Sequence, residues 1–230
     1  MFKKLLVANR GEVAVRIIRA AQDLGIATVA VYARDDAGAL HAGLADAAAA
    51  LDATGPGAYL DITALIGVAS QHGCDAVHPG YGFLSERADF AQACADAGLV
   101  FIGPTPAQLA LFGDKARARA LAAEQGLPLL PGTGAATLAQ VERFFAEQRA
   151  IDAGCGVMLK AVAGGGGRGM RAVLDSADLA AAYARCSTEA LTAVGVGAVY
   201  AEKLIPRARH LEVQALDASS SRNSKVPRPW

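Results

Sequence analysis

Residues Val157 to Leu174 read VMLKAVAGGGGRGMRAVL, and the fold turns on whether a helix or a strand comes after the glycines. Gly164 to Gly167 form an unbroken run, succeeded by Arg168 and Gly169, between two apolar segments. Glycine loses more backbone freedom on folding than any other residue. Such a run therefore implies positive φ angles, flexibility, or something approaching the backbone closely. Lys160 ends the first apolar segment. A cation on a strand beside a loop rich in N–H groups suits the phosphates of a nucleotide.

Three readings compete for this loop, besides a plain surface hairpin. Gly164, Gly166 and Gly169 satisfy G-x-G-x-x-G, the dinucleotide fingerprint of an oxidoreductase, which demands a helix directly after Gly169. A Walker loop fails because the glycines lead into no Gly-Lys-Ser/Thr. Met170 to Leu174 reads as a strand instead, and the next helix opens only after a cap at Asp175 or Ser176. Strand, glycine loop and strand make a hairpin lid closing over phosphates.

Composition narrows the classes. The chain has 230 residues, room for one large domain or two small ones. Its hydrophobic content of 53% is swollen by alanine, and runs such as Ala47–Ala50 and Ala180–Ala182 look helix-friendly. No stretch reaches the ~18 uninterrupted apolar residues of a membrane helix, so no membrane partner is expected. With 22 acidic against 22 basic side chains, nothing marks a nucleic-acid surface. The opening MFKKLLVANRGE has too short an apolar run for a signal peptide and reads as a first strand, placing the chain in the cytoplasm. Cys74, Cys94, Cys155 and Cys186 lack C-x-x-C spacing and read as buried thiols.

Along the chain, Lys4–Ala8 reads as a strand, Gly11–Leu24 as a helix ended by Gly25, and Ile26–Tyr32 as a second strand, a βαβ unit. Helices at Asp61–His72 and Arg87–Ala97, each leading into a short strand, extend it into a doubly wound parallel sheet. The turn Ala8–Glu12 and the loop His78–Glu86 both come after strands, where such sheets build ligand crevices. His78 and Glu86 are the loop's candidates. Gly103-Pro104-Thr105-Pro106 reads as a domain edge. Lys115, at the start of a helix, is unfavourable to the dipole unless a phosphate sits there. A second, α+β pattern then spans 131–203. Arg209–Leu216 alternates strictly, with His210, Glu212 and Gln214 on one face.

Taken together, LLVANRGEVAVRIIRA, HPGYGFLSE, FIGPT, GDKARA, LPLLPG, MLKAVAGGGGRGMR and AEKLIPRARHLEVQ resemble the biotin carboxylase component of the biotin-dependent carboxylases. These are the acetyl-CoA, propionyl-CoA and pyruvate carboxylases, within the ATP-grasp superfamily. The resemblance implies a ligase that activates bicarbonate with ATP to carboxyphosphate and passes CO2 to biotin on a carrier. It implies phosphate contacts from Lys115 and Lys160, and a lid loop of Gly164, Gly165, Gly166, Gly167, Arg168 and Gly169. Glu202, Lys203, Leu204 and Ile205 become an adenine hinge, and His210 a ribose contact. The implied partners are a biotin carboxyl carrier protein or domain and a carboxyltransferase, which chooses the final acceptor, in a family that often dimerises. A carbamoyl-phosphate synthase relative is the nearest rival, and HPGYGFLSE argues against it.

The expected organisation is a pre-ATP-grasp, Rossmann-like domain at 1–103, a helical linker at 104–130 and an α+β lid subdomain at 131–203. Residues 204–217 would begin a truncated third domain. The tail 218–230 departs from the family pattern and is expected to be disordered. In the family that third domain carries the ligands for Mg2+ or Mn2+, the base for bicarbonate and the arginine that serves biotin. No metal ligand is therefore expected in this chain, and negligible carboxylase activity from it alone. Catalytic candidates reduce to His78 and Glu86.

Overall fold

The computed structural model describes residues 2–162, 169–195, 197–209 and 211. They divide into two compact units, the boundary falling between Gly113 and Asp114.

The first unit carries five parallel strands: β1 (Lys4–Val7), β2 (Ala27–Ala33), β3 (Ala47–Leu51), β4 (Ala76–His78) and β5 (Val100–Phe101), in spatial order β3-β2-β1-β4-β5. Its helices are α1 (Gly11–Asp23), α2 (Leu40–Leu44), α3 (Ile62–Gln71), α4 (Ala88–Asp96) and α5 (Pro106–Phe112). Parallel strands covered on both faces need apolar side chains on both, and β1 supplies them by alternation. Leu6 joins the core of α3 and α4 with Leu65, Val68, Phe90 and Cys94. Leu5 and Val7 join the opposite core with Ala14, Ile17 and Ile18 of α1. The order reverses beside β1, so the chain leaves β1 and β4 towards opposite faces, with α1 on one and α4 on the other, the arrangement of a switch-point crevice.

One local expectation is corrected. The alanine run Ala47–Ala50 is not helical but forms β3, paired in parallel with β2 from Val29↔Ala47 to Ala33↔Leu51. Alanine's helix propensity is worth only a fraction of a kcal/mol per residue, and an open ladder edge on β2 outweighs it. The Gly103–Pro106 punctuation is the entry to α5. Thr105 and Gln108 close a capping box there, and Pro106 stands at the first helical turn, where its missing N–H is harmless.

The second unit packs α7 (Leu138–Ile151) and α8 (Leu179–Val194) on a sheet ordered β7-β6-β8, with α6 (Lys115–Glu124) opening it. In this sheet β6 is Val157–Ala161, β7 Met170–Val173 and β8 Val199–Lys203, and both pairings are antiparallel. Its core joins Val141, Phe144 and Phe145 to Val157, Leu159, Val173 and Val199.

The strand β7 directly after Gly169 overturns the dinucleotide reading, which required a helix at that point. Gly169 has φ +69°, and a Cβ there would meet the Ala161 Cβ at 3.0 Å, so glycine is needed where the chain re-enters the hairpin. Residues Gly164 to Arg168, His210 and the stretch from 212 onward lie outside the described residues.

Candidate functional site

Each unit carries a distinct cluster of polar groups. In the first, Asn9 sits just past β1 and is 2% exposed. Its amide nitrogen donates to the carbonyls of Pro79 (2.7 Å) and Tyr81 (2.9 Å), and its oxygen accepts from the Arg10 N–H at 2.8 Å. Both N–H donors of the carboxamide are therefore used to tie β1 to the loop after β4, while its oxygen holds the next residue's N–H. Gly80 makes the approach possible: its φ is +67°, and a Cβ would stand 2.7 Å from the Asn9 amide nitrogen.

Neighbouring groups are paired as well. Arg10 bridges to Asp36 at 3.0 Å and lies over the Tyr59 ring, 5.7 Å from its centroid. The Tyr59 hydroxyl donates to Asp36 (2.8 Å) and accepts from the Ala33 N–H (3.0 Å). Burial pushes its pKa up to about 12, so it stays a donor at neutral pH. The Tyr81 hydroxyl donates to Glu12. Of the sequence candidates in this unit, Glu86 is exposed and His78 is turned inward, its Nδ1 accepting from the Gly80 N–H at 3.0 Å.

That bond sets the neutral ring's proton on Nε2, and burial holds the His78 pKa below its usual value. The folded state thus binds this proton less readily than the unfolded chain. The contribution to stability is whole above about pH 6.5 and is lost as pH falls below it. The unfolding midpoint of the protein is expected to drop between pH 7 and pH 5. The His78→Gln variant, which cannot take up the proton, should show a flatter slope in thermal melts across that range. An equal slope in both would remove His78 as the cause.

In the second unit the central feature is a carboxylate with two cations. Pairing of Met158 with Glu202 and of Lys160 with Tyr200 puts Lys160 and Glu202 on one face as diagonal neighbours. The Lys160 ammonium pairs with Glu202 Oε2. Arg119, from α6, pairs with Glu202 Oε1 at 2.5 Å and also donates to the Leu130 carbonyl at 2.8 Å. Glu202 itself is only 7% exposed. A carboxylate so buried needs such partners to offset its lost hydration.

Beside this triad lies a cavity of about 270 Å³, lined by Lys115, Ala116 and Arg119 of α6, by Gly132 to Ala135, and by Val162 and Tyr200. The Asp114 side chain caps α6, accepting from the Ala116 (2.9 Å) and Arg117 (3.1 Å) N–H groups. The segment from Pro131 runs along the free edge of β8. Lys203 N–H donates to the Pro131 carbonyl at 2.9 Å, and Thr133 N–H to the Ala201 carbonyl at 2.8 Å. Gly132 faces Glu202 across this edge, and a Cβ on it would meet the Ala201 carbonyl oxygen at 2.9 Å. Backbone cannot step aside as a side-chain tip can, so the lip requires glycine there.

Two of the sequence candidates, Lys160 and Glu202, are thus brought together, and Lys115 lines the adjoining cavity. Lys203, Leu204 and Ile205 continue directly from Glu202, and Gly169 closes the hairpin. Sequence reasoning missed Arg119, although its spacing of one helical turn from Lys115 was an available signal. It also missed the role of Asn9, whose partners lie some 70 positions away. Among the described residues, no group of three or more His, Cys, Asp or Glu is placed to hold a metal ion. None of the described helices is long and apolar enough to cross a membrane.

Comparison with known proteins locates both units. Residues 1–109 match the family described as biotin carboxylase, N-terminal domain. Residues 114–223 match carbamoyl-phosphate synthase L chain, ATP binding domain. Mitochondrial pyruvate carboxylase of Rattus norvegicus is 50% identical over 219 residues, which cover 93% of this chain and 18% of that protein. Biotin carboxylase of Nostoc sp. is 44% identical over 216 residues, covering 94% of this chain and 48% of the relative. Among solved structures, the biotin carboxylase domain dimer of Hydrogenobacter thermophilus 2-oxoglutarate carboxylase, in complex with MgADP, ADP and bicarbonate, matches with a TM-score of 0.84 at 40% identity. That match covers 90% of this chain and 45% of the other. The chain spans less than half the length of each of these proteins.

Proposed function

The chain belongs to the biotin carboxylase family over its N-terminal and ATP-binding domains, and from that premise we propose that its second unit is the adenine-nucleotide site of an ATP-dependent biotin carboxylase. The second domain model is described after carbamoyl-phosphate synthase. The N-terminal match and the relatives spanning both domains favour biotin carboxylation instead. The observation that carries the reading is the Lys160–Glu202 pair beside a cavity lined by Lys115.

In this reading ATP supplies the phosphoryl group that activates bicarbonate, and the chain's residues bind and orient it. Lys115 and Lys160 offset phosphate charge that would otherwise resist an anionic nucleophile. The lid residues Gly164 to Gly169 add backbone amides. The hinge has its adenine acceptor for a stereochemical reason. Lys203 donates to Pro131, but Pro131 has no N–H to return, so the Lys203 carbonyl remains an acceptor for the adenine amino group. Leu204 N–H already donates to the Gly156 carbonyl at 2.9 Å, which leaves the Ile205 amide and the Glu202 side chain as the remaining contacts. His210 would serve the ribose. Biotin on a carrier and a carboxyltransferase complete the reaction as partners, in the cytoplasm. The four buried, free thiols suit such a reducing compartment.

Phosphoryl transfer from ATP requires a divalent ion, and among the described residues no three His, Cys, Asp or Glu side chains cluster to hold one. A polypeptide of these 230 residues is accordingly expected to bind ADP and ATP in calorimetry and to release ADP no faster than background with bicarbonate and free biotin. Absence of nucleotide binding at millimolar concentration would overturn the assignment. Bicarbonate-dependent ADP release would overturn the inactivity.

A further inference from the structure

The Lys160–Glu202 pair raises an electrostatic difficulty for the nucleotide reading, on which this inference rests. A phosphate competes with Glu202 for the charge of the Lys160 ammonium, and Glu202 is 7% exposed. Removing one partner from a buried ion pair leaves an uncompensated charge, which is strongly unfavourable. Were Lys160 the only counter-ion, nucleotide binding would have to overcome that cost.

Arg119 removes the difficulty. It reaches Glu202 from α6 rather than from the sheet, with Nη1 2.5 Å from Oε1, while Lys160 occupies Oε2. Its Nη2 is anchored on the Leu130 carbonyl at 2.8 Å. The Gly132 position, open because it lacks a side chain, lies next to this fork: a Cβ there would meet Nη2 at 3.3 Å. A guanidinium keeps its charge at any relevant pH and holds two acceptors in a fixed geometry. Glu202 therefore retains one fixed counter-ion whichever anion Lys160 takes.

We propose that Arg119 is a positioning residue of the nucleotide site, holding Glu202 neutralised so that Lys160 can exchange the carboxylate for a nucleotide phosphate. The exchange breaks one ion pair and forms another, and no proton moves. Arg119 acts through Glu202 and need not touch the nucleotide.

The test uses the full chain and reads the ratio of dissociation constants for adenosine and ADP, which isolates the phosphate contribution from that of the base. Arg119→Met is expected to lower this ratio about tenfold where Glu202 is present, and by less than about twofold in a Glu202→Gln background, where no buried charge remains to be neutralised. Arg119→Lys should restore most of the loss. Glu202→Gln alone should raise the ratio, since Lys160 then has no carboxylate to leave. This second arm stands if Arg119→Met fails to fold, and an unchanged ratio there overturns the proposal. An equal fall in both backgrounds would make Arg119 a direct phosphate contact and would also overturn it. A wild-type ratio near one, with adenosine bound, would instead sink the phosphate reading of the site.

Discussion

Lys160→Met is expected to weaken ADP and ATP binding by about one to two orders of magnitude, with the second unit still folded. The size reflects the loss of a charge-assisted hydrogen bond to phosphate, worth about 1.5–3 kcal/mol. Methionine preserves most of the apolar stem that lies against the sheet, so packing changes little. Glu202 keeps its second partner, Arg119, so the buried carboxylate is not orphaned and the fold should survive. Adenosine affinity should change much less, because the hinge backbone from Lys203 onward is untouched and Arg119 still holds Glu202. Lys160→Arg is not a neutral control, since the guanidinium fork is longer and planar. It should recover only part of the ADP affinity. Calorimetry on the three proteins measures the effect, and circular dichroism checks the fold. Full ADP affinity in Lys160→Met would move the phosphates away from β6 altogether.

Legibility in the sequence divides along physical lines. The parallel sheet was legible because βαβ units repeat and because apolar residues recur at helical and strand spacing around β1, α1 and β2. The glycine hairpin was legible because Met170 to Val173 carries a strand's pattern where a dinucleotide fold needs a helix. Ala47–Ala50 was not. An alanine run has no periodicity, and its pairing with β2 is decided by the ladder it completes. The site divides the same way. Lys160 and Glu202 stood out as charges at the ends of apolar strands. Their meeting depends on register, Met158 opposite Glu202, which one strand alone does not reveal. Arg119 was harder to single out: its one-turn spacing from Lys115 was the only cue on a helix rich in arginine and alanine.

Asn9→Ala is expected to destabilise the first unit by about 3 kcal/mol. It removes a fully buried side chain and leaves the Pro79 and Tyr81 carbonyls and the Arg10 N–H without the partner each has now. A buried polar group left unsatisfied costs about 1–3 kcal/mol, and relaxation of the loop returns part of it. For a unit of this size the loss corresponds to a fall of roughly 10–20 °C in unfolding midpoint, measurable by scanning calorimetry. Asn9→Asp separates hydrogen bonding from packing. It fills the same volume but replaces two donors with an acceptor facing two carbonyls, so it should be at least as harmful as alanine. If Asn9→Asp melted with the wild-type protein, the amide's two donated bonds could not be what joins β1 to the His78–Glu86 loop. Gly80 predicts the same from the other side. Any side chain there would displace the Asn9 amide nitrogen, so Gly80→Ala should reproduce much of the Asn9→Ala loss and add little to it in the double variant.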